Sequence, residues 1–186
     1  VGSEMCIRDR SFIFSRLIIL MVYATIFIFC NSLYIASSMA NNLIIEEKPG
    51  FGSKFQDINS KDLKLSDFAG KLLLINLWAT WCEPCKEEMP SLDRLQKQYN
   101  KEDFHILAIS IDRGPKKNSA NFFVDYKISN IDLFFDDKNN IPREVRAAGL
   151  PFSLFINQEG KQIAKLIGPA EWDSIYFKDF VNSNLN

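Results

Sequence analysis

Between residues 72 and 78 the chain reads Leu-Leu-Leu-Ile-Asn-Leu-Trp, and a polar stretch with helical spacing follows soon after. So short and apolar a run predicts a central strand covered on both faces. Beyond it, Met89, Leu92, Leu95 and Tyr99 recur at three- and four-residue steps, the stripe of a helix with one buried face. Residues 104–111 repeat the strand pattern, and residues 119–126, carrying Phe122, Phe123 and Tyr126, predict a second helix. Residues 133–135 predict a short strand, and 141–148 a short helix closed by Gly149. Residues 153–156 and 162–167, on either side of Asn157-Gln158-Glu159-Gly160, predict a hairpin, and 174–181 a closing helix. Upstream, 55–58 and 62–68 alternate as a short hairpin that turns at Gly70-Lys71. Strand and helix alternate first, and a hairpin plus helix finish. That order predicts an α/β domain with a mixed central sheet flanked by helices, an N-terminal hairpin and a strand-helix insertion.

The N-terminal region follows a different pattern. Residues 17–36 are almost continuously apolar, about 20 residues and therefore about 30 Å as a helix, enough to cross a bilayer. Arg8, Arg10 and Arg16 precede this run and few basic residues follow it at once, so the N-terminus is expected in the cytoplasm and the domain outside. Ser38-Met39-Ala40 offers a small-x-small cleavage site, and a removed signal peptide is the alternative to a single-pass anchor. The anchor is favoured because the run exceeds a usual signal core. Residues 1–10 fit neither a signal nor a domain and resemble a translated adapter. Residues 1–40 are thus read as a leader. Residues 41–53, polar with Pro49, Gly50 and Gly52, are read as a tether, and residues 54–186 as one domain.

Charge removes one class of function. The chain carries a formal charge of −1, and without its first forty residues −2, which gives no electrostatic basis for nucleic-acid binding. Cysteine placement adds another class. Cys6 and Cys30 lie in the leader, so only Cys82 and Cys85 belong to the domain, and no second pair remains to build a structural framework. The two sit in Trp81-Cys82-Glu83-Pro84-Cys85-Lys86, where the apolar strand gives way to the helix. At a helix start, unpaired backbone N–H groups and the positive end of the dipole favour a thiolate at Cys82. From residue types alone, three chemistries stay open: a redox pair, a metal site and a staple. Zinc would require about four ligands, whereas the domain offers Cys82, Cys85 and His105 as soft ligands. A Cu(I)-binding module is a closer competitor, because two thiols suit that ion. A peroxidase is a third candidate.

The surrounding residues carry a specific likeness. Residues 62–71 leading into the strand, Asn76-Leu77-Trp78-Ala79-Thr80-Trp81-Cys82-Glu83-Pro84-Cys85-Lys86-Glu87-Glu88-Met89-Pro90, Ser110-Ile111-Asp112 and Gly149-Leu150-Pro151 follow one another in order. This arrangement resembles the thioredoxin superfamily, and within it the membrane-tethered TlpA-like and ResA-like branch. Gly168-Pro169-Ala170-Glu171-Trp172 is most similar to the TlpA side of that branch.

The resemblance implies a thioredoxin fold and a thiol-disulfide oxidoreductase with Cys82 and Cys85 as its redox-active disulfide and no cofactor. It also implies a cis peptide before Pro151, and a partner groove formed by Trp81, Leu150 and Phe152. Phe152 stands where many relatives have threonine. Cys82 is expected as the exposed attacking thiolate and Cys85 as the resolving thiol, with Trp81, Glu83, Pro84, Asn76 and Pro151 in support. Acidic Glu83 should oppose ionisation of the thiols and favour electron donation, against which Lys86 works. Asn76 replaces a buried acid found in cytosolic thioredoxins and is expected to hydrogen-bond locally; Trp78 and His105 are expected to be structural. The implied setting is the periplasmic side of a bacterial inner membrane, with a membrane thiol protein as electron donor. The implied clients are copper-site maturation factors or, in the ResA-like alternative, apocytochrome c.

Overall fold

The computed structural model describes residues 43–185. The leader, its anchor or signal and residues 1–10 lie outside these. Eight strands form one sheet: β1 (Leu43–Pro49), β2 (Phe55–Gln56), β3 (Asp62–Leu63), β4 (Leu72–Trp78), β5 (Phe104–Ser110), β6 (Asp132–Phe135), β7 (Phe152–Ile156) and β8 (Lys161–Ile167), in the spatial order β1-β8-β7-β4-β5-β6-β2-β3. β4, β5 and β6 run parallel, whereas β7, β8 and β1 continue the other side antiparallel. The helices are α1 (Glu83–Gln96), α2 (Lys116–Asp125), α3 (Asn140–Glu144) and α4 (Ile175–Asn184).

Every residue of β4 is buried, which is why its sequence shows no alternation. Its side chains divide between two cores. Leu72, Leu74 and Trp78 pack with Met89, Leu92 and Leu95 of α1, Phe122 and Phe123 of α2, and Phe177 and Val181 of α4. Leu73, Ile75 and Leu77 meet Phe51, Phe55, Phe134 and Ile141 on the other face. Asn76 shares the even-numbered face with Leu74 and Trp78, and is thereby directed toward α1.

Several boundaries differ from the sequence reading, and three bear on the site and its surroundings. Residues 43–49, expected within a tether, form an edge strand whose register runs from Leu43↔Leu166 to Pro49↔Lys161. The N-terminal hairpin is only two residues deep on each side, and Leu65–Phe68 is a short 3-10 turn. The helix expected over 141–148 stops at Glu144, closed not by Gly149 but by Arg146, whose φ is +55°. The Ala147 N–H reaches Pro142 O at 2.9 Å and the Arg146 N–H reaches Arg143 O at 3.3 Å, a Schellman stop with arginine in the position glycine usually takes.

Candidate active site

β4 delivers the chain to one end of the sheet at Trp78, and a tight turn, in which the Cys82 N–H donates to Ala79 O at 3.1 Å, leads into α1. Cys82 is the N-cap in extended conformation, and Pro84 occupies the first turn, where a missing N–H costs no helical hydrogen bond. Cys82 and Cys85 are joined in a disulfide, with Cα atoms 5.3 Å apart. Cys82, expected as the exposed sulfur, keeps only 6% of its surface in this oxidised state, and Cys85 none. The exposed group is Trp81, at 69%. Glu83 pairs with Lys86 one turn along, so the two side chains expected to act oppositely on the thiols stand side by side at the surface.

The Leu150–Pro151 peptide is cis. Phe152, the next residue, pairs with Leu77 of β4 and Ile167 of β8, which brings Pro151 to the same end of the sheet as the disulfide. Leu150 is half-buried against both cores. Phe152 departs from expectation: it is 2% exposed and belongs to the second core. Packing covers β7 on both faces, so Phe152 offers almost no surface to a partner.

The group that sequence reading overlooked is Glu88. It lies three residues after Cys85 on the buried face of α1 and is 3% exposed. Its Oε1 accepts from Asn76 Nδ2 at 2.7 Å; its Oε2 accepts from Trp172 Nε1 at 2.9 Å and from the Ala170 N–H at 3.0 Å. Burial is the largest influence on this carboxyl and raises its pKa to about 7, while the hydrogen bonds from Trp172, Asn76 and Ala170 act in the opposite sense. Asn76 does bond locally, as expected, donating also to Ser153 Oγ at 3.0 Å. The buried acid of this site therefore stands on the helix, and the strand supplies the amide that binds it. Its signal was a carboxylate on the apolar stripe of Cys85, Met89 and Leu92.

Other groups are structural. Trp78 is wholly buried against Phe122, at 5.1 Å between rings. His105 Nε2 meets Asp132 Oδ2 at 2.7 Å on the far side of β5. Among the described residues no three His, Cys, Asp or Glu side chains converge as metal ligands.

Comparison with known proteins agrees with this geometry. The AhpC/TSA family model matches residues 46–165. A thiol-disulfide oxidoreductase ResA from Oceanobacillus iheyensis is 30% identical over 164 residues, spanning 83% of this chain and 79% of that protein. Its namesake from Bacillus subtilis is 31% identical over 128 residues, 68% and 69% of the two chains. Among solved structures, a thiol:disulfide interchange protein of the DsbE type from Chlorobium tepidum superposes with a TM-score of 0.67 at 22% identity, over 77% of this chain and 100% of that one; at this identity it speaks for the fold alone. The chain belongs to the AhpC/TSA family of the thioredoxin superfamily and is a thiol-disulfide oxidoreductase.

Proposed function

We propose that the chain works in the reducing direction, passing electrons from its Cys82–Cys85 dithiol to disulfides of client proteins outside the cytoplasm. The observation that carries this reading is Glu88, a buried carboxyl one helical turn beneath the resolving cysteine. Cys82, at the start of α1, attacks the client disulfide as the thiolate and forms a mixed disulfide, releasing one client thiol. Cys85 then loses its proton, attacks Cys82 Sγ and releases the second client thiol. Two electrons have passed to the client, and the protein is left with the disulfide seen here. Glu88 is the acceptor of the Cys85 proton. Its pKa of about 7 lies within reach of an ordinary thiol near 8.5. Once ionised in its dry setting, Glu88 opposes a second negative charge at Cys85. Disfavouring the thiolate keeps the reduced pair protonated and makes it a better electron donor.

A membrane thiol protein that restores the dithiol completes the cycle, with an N-terminal anchor holding the domain on the periplasmic side. The likeness of residues 168–172 to the TlpA side of the branch supports copper-site maturation factors of cytochrome oxidase as clients. The ResA relatives support the alternative, haem-attachment cysteines of apocytochrome c. A Cys85→Ser variant arrests the cycle at the mixed disulfide, and mass spectrometry of the trapped species names the client. Failure to capture any thiol protein, together with failure of the native chain to reduce insulin disulfides, would sink the reading. A reduction potential as oxidising as about −120 mV would reverse the direction.

A further inference from the structure

Beside the disulfide, Trp81 and Thr80 form one wall of an open depression of about 570 Å³, completed by Asp112, Arg113, Asn118 and Asn139. Arg113 makes no ion pair among the described residues. The nearest carboxylate along the chain, Asp112, is already committed. It accepts from the Thr80 N–H and Thr80 Oγ1, at 3.1 Å each, and from Ser110 Oγ and Ser119 Oγ, at 3.0 Å each. Those bonds fasten the loop after β5 to the turn that carries Trp81 and satisfy both oxygens of Asp112 from the protein side.

Arg113 is held by a different residue. Asn139 stands in the left-handed region at φ +53° and does not use its side chain to cap α3. With its carboxamide turned to satisfy both ends, Asn139 donates to Ile111 O at 3.3 Å and accepts from Arg113 Nε at 3.2 Å. One edge of the guanidinium is thus fixed, and its terminal nitrogens remain for a ligand. A planar, permanently charged fork oriented in this way suits a carboxylate. Four residues along the chain Lys117 is exposed, and α2 opens with no acidic residue in its first turn, so the start of that helix adds no negative charge of its own. Lys116 is not available, because its Nζ donates to Asp57 O at 2.8 Å and Ser60 Oγ at 3.0 Å.

We propose that this depression is a specificity subsite for an acidic side chain of the client, carried close in sequence to the cysteine that Cys82 attacks. Trp81 lies under the client backbone, and Arg113 receives the Asp or Glu carboxylate. This rests on the thiol-disulfide exchange reading and adds the sequence class that the site selects.

The test uses the full chain and a peptide series carrying one cysteine as a mixed disulfide with 2-mercaptoethanol. Asp or Asn is placed in turn at each of three positions on either side of that cysteine. At least one Asp peptide is expected to be reduced about 5- to 20-fold more efficiently, in kcat/KM, than its Asn twin at low salt, and the margin should shrink as ionic strength rises. Arg113→Gln should erase the margin without changing the rate on the Asn peptides or on bis(2-hydroxyethyl) disulfide. Arg113→Lys should keep part of it. A second readout needs no turnover: calorimetric affinity of the oxidised chain for the same peptides with serine in place of cysteine, where the Asp preference should again vanish in Arg113→Gln. Equal handling of Asp and Asn at all six positions, or a preference that survives Arg113→Gln, overturns the subsite. Failure to reduce bis(2-hydroxyethyl) disulfide would instead count against the exchange reading, and the calorimetric arm would still judge the subsite.

Discussion

Glu88 shows how one residue couples the site to solution conditions. A carboxyl whose folded pKa exceeds its unfolded value takes up a proton on folding. It therefore favours the folded state below the unfolded value of 4.5, and that contribution is lost as the pH rises through about 7. The difference amounts to about 3 kcal/mol. Comparing denaturant unfolding of the native chain with Glu88→Gln between pH 4.5 and 8 should show this slope in the native chain and its absence in the variant. Asn76 can accommodate the new amide, because its Oδ1 is buried without a partner, and turning its carboxamide lets it accept from the glutamine N–H. The same variant should slow the resolving step by about 10²-fold, read as a longer-lived mixed disulfide in stopped-flow, while the first attack by Cys82 is little changed. From sequence, the cysteines were legible because their types carry the chemistry. Glu88 was not, since a single carboxylate on a helix is ordinarily a solvated one, and only the approach of Trp172, 84 residues away, reveals its setting. Phe152 misled for a related reason: its place beside Pro151 was legible, but the packing that covers β7 on both faces was not.

At the scale of elements, the long apolar signals were read correctly, whereas the start of α2 and the stop of α3 were not. β4, β5 and α1 combine strong periodicity with complete burial of their apolar positions, so pattern and packing point the same way. α2 and α3 end without glycine. Lys127 and Arg146 adopt the left-handed conformation at their C-termini, at φ +56° and +55°, and tertiary packing overrides the local preference. Both residues are exposed. Lys127→Gly and Arg146→Gly should each raise stability by up to about 1 kcal/mol in urea titration, with no loss of disulfide exchange. The apolar stripe of α1 should respond oppositely. Leu92, wholly buried between helix and sheet, should cost about 3 kcal/mol when replaced by alanine.

For the whole molecule, the sheet's ends matter more than its centre. β4 ends at the disulfide, and β7 begins there, since Phe152 pairs with Leu77; β8 ends there, since Ile167 pairs with Phe152. β1 runs against β8, and its first residue, Leu43, pairs with Leu166. Leu43, the first described residue, therefore stands at the reactive end of the sheet. α4 finishes at the opposite end, where Gln158 Nε2, in the turn between β7 and β8, donates to Asn184 O at 3.0 Å. A strand that reads as linker thus decides what the reactive end sees at high effective concentration. A client peptide fused through a short flexible linker ahead of residue 43 is held within reach of Cys82, whereas the same peptide fused after residue 185 has the length of the sheet to cross.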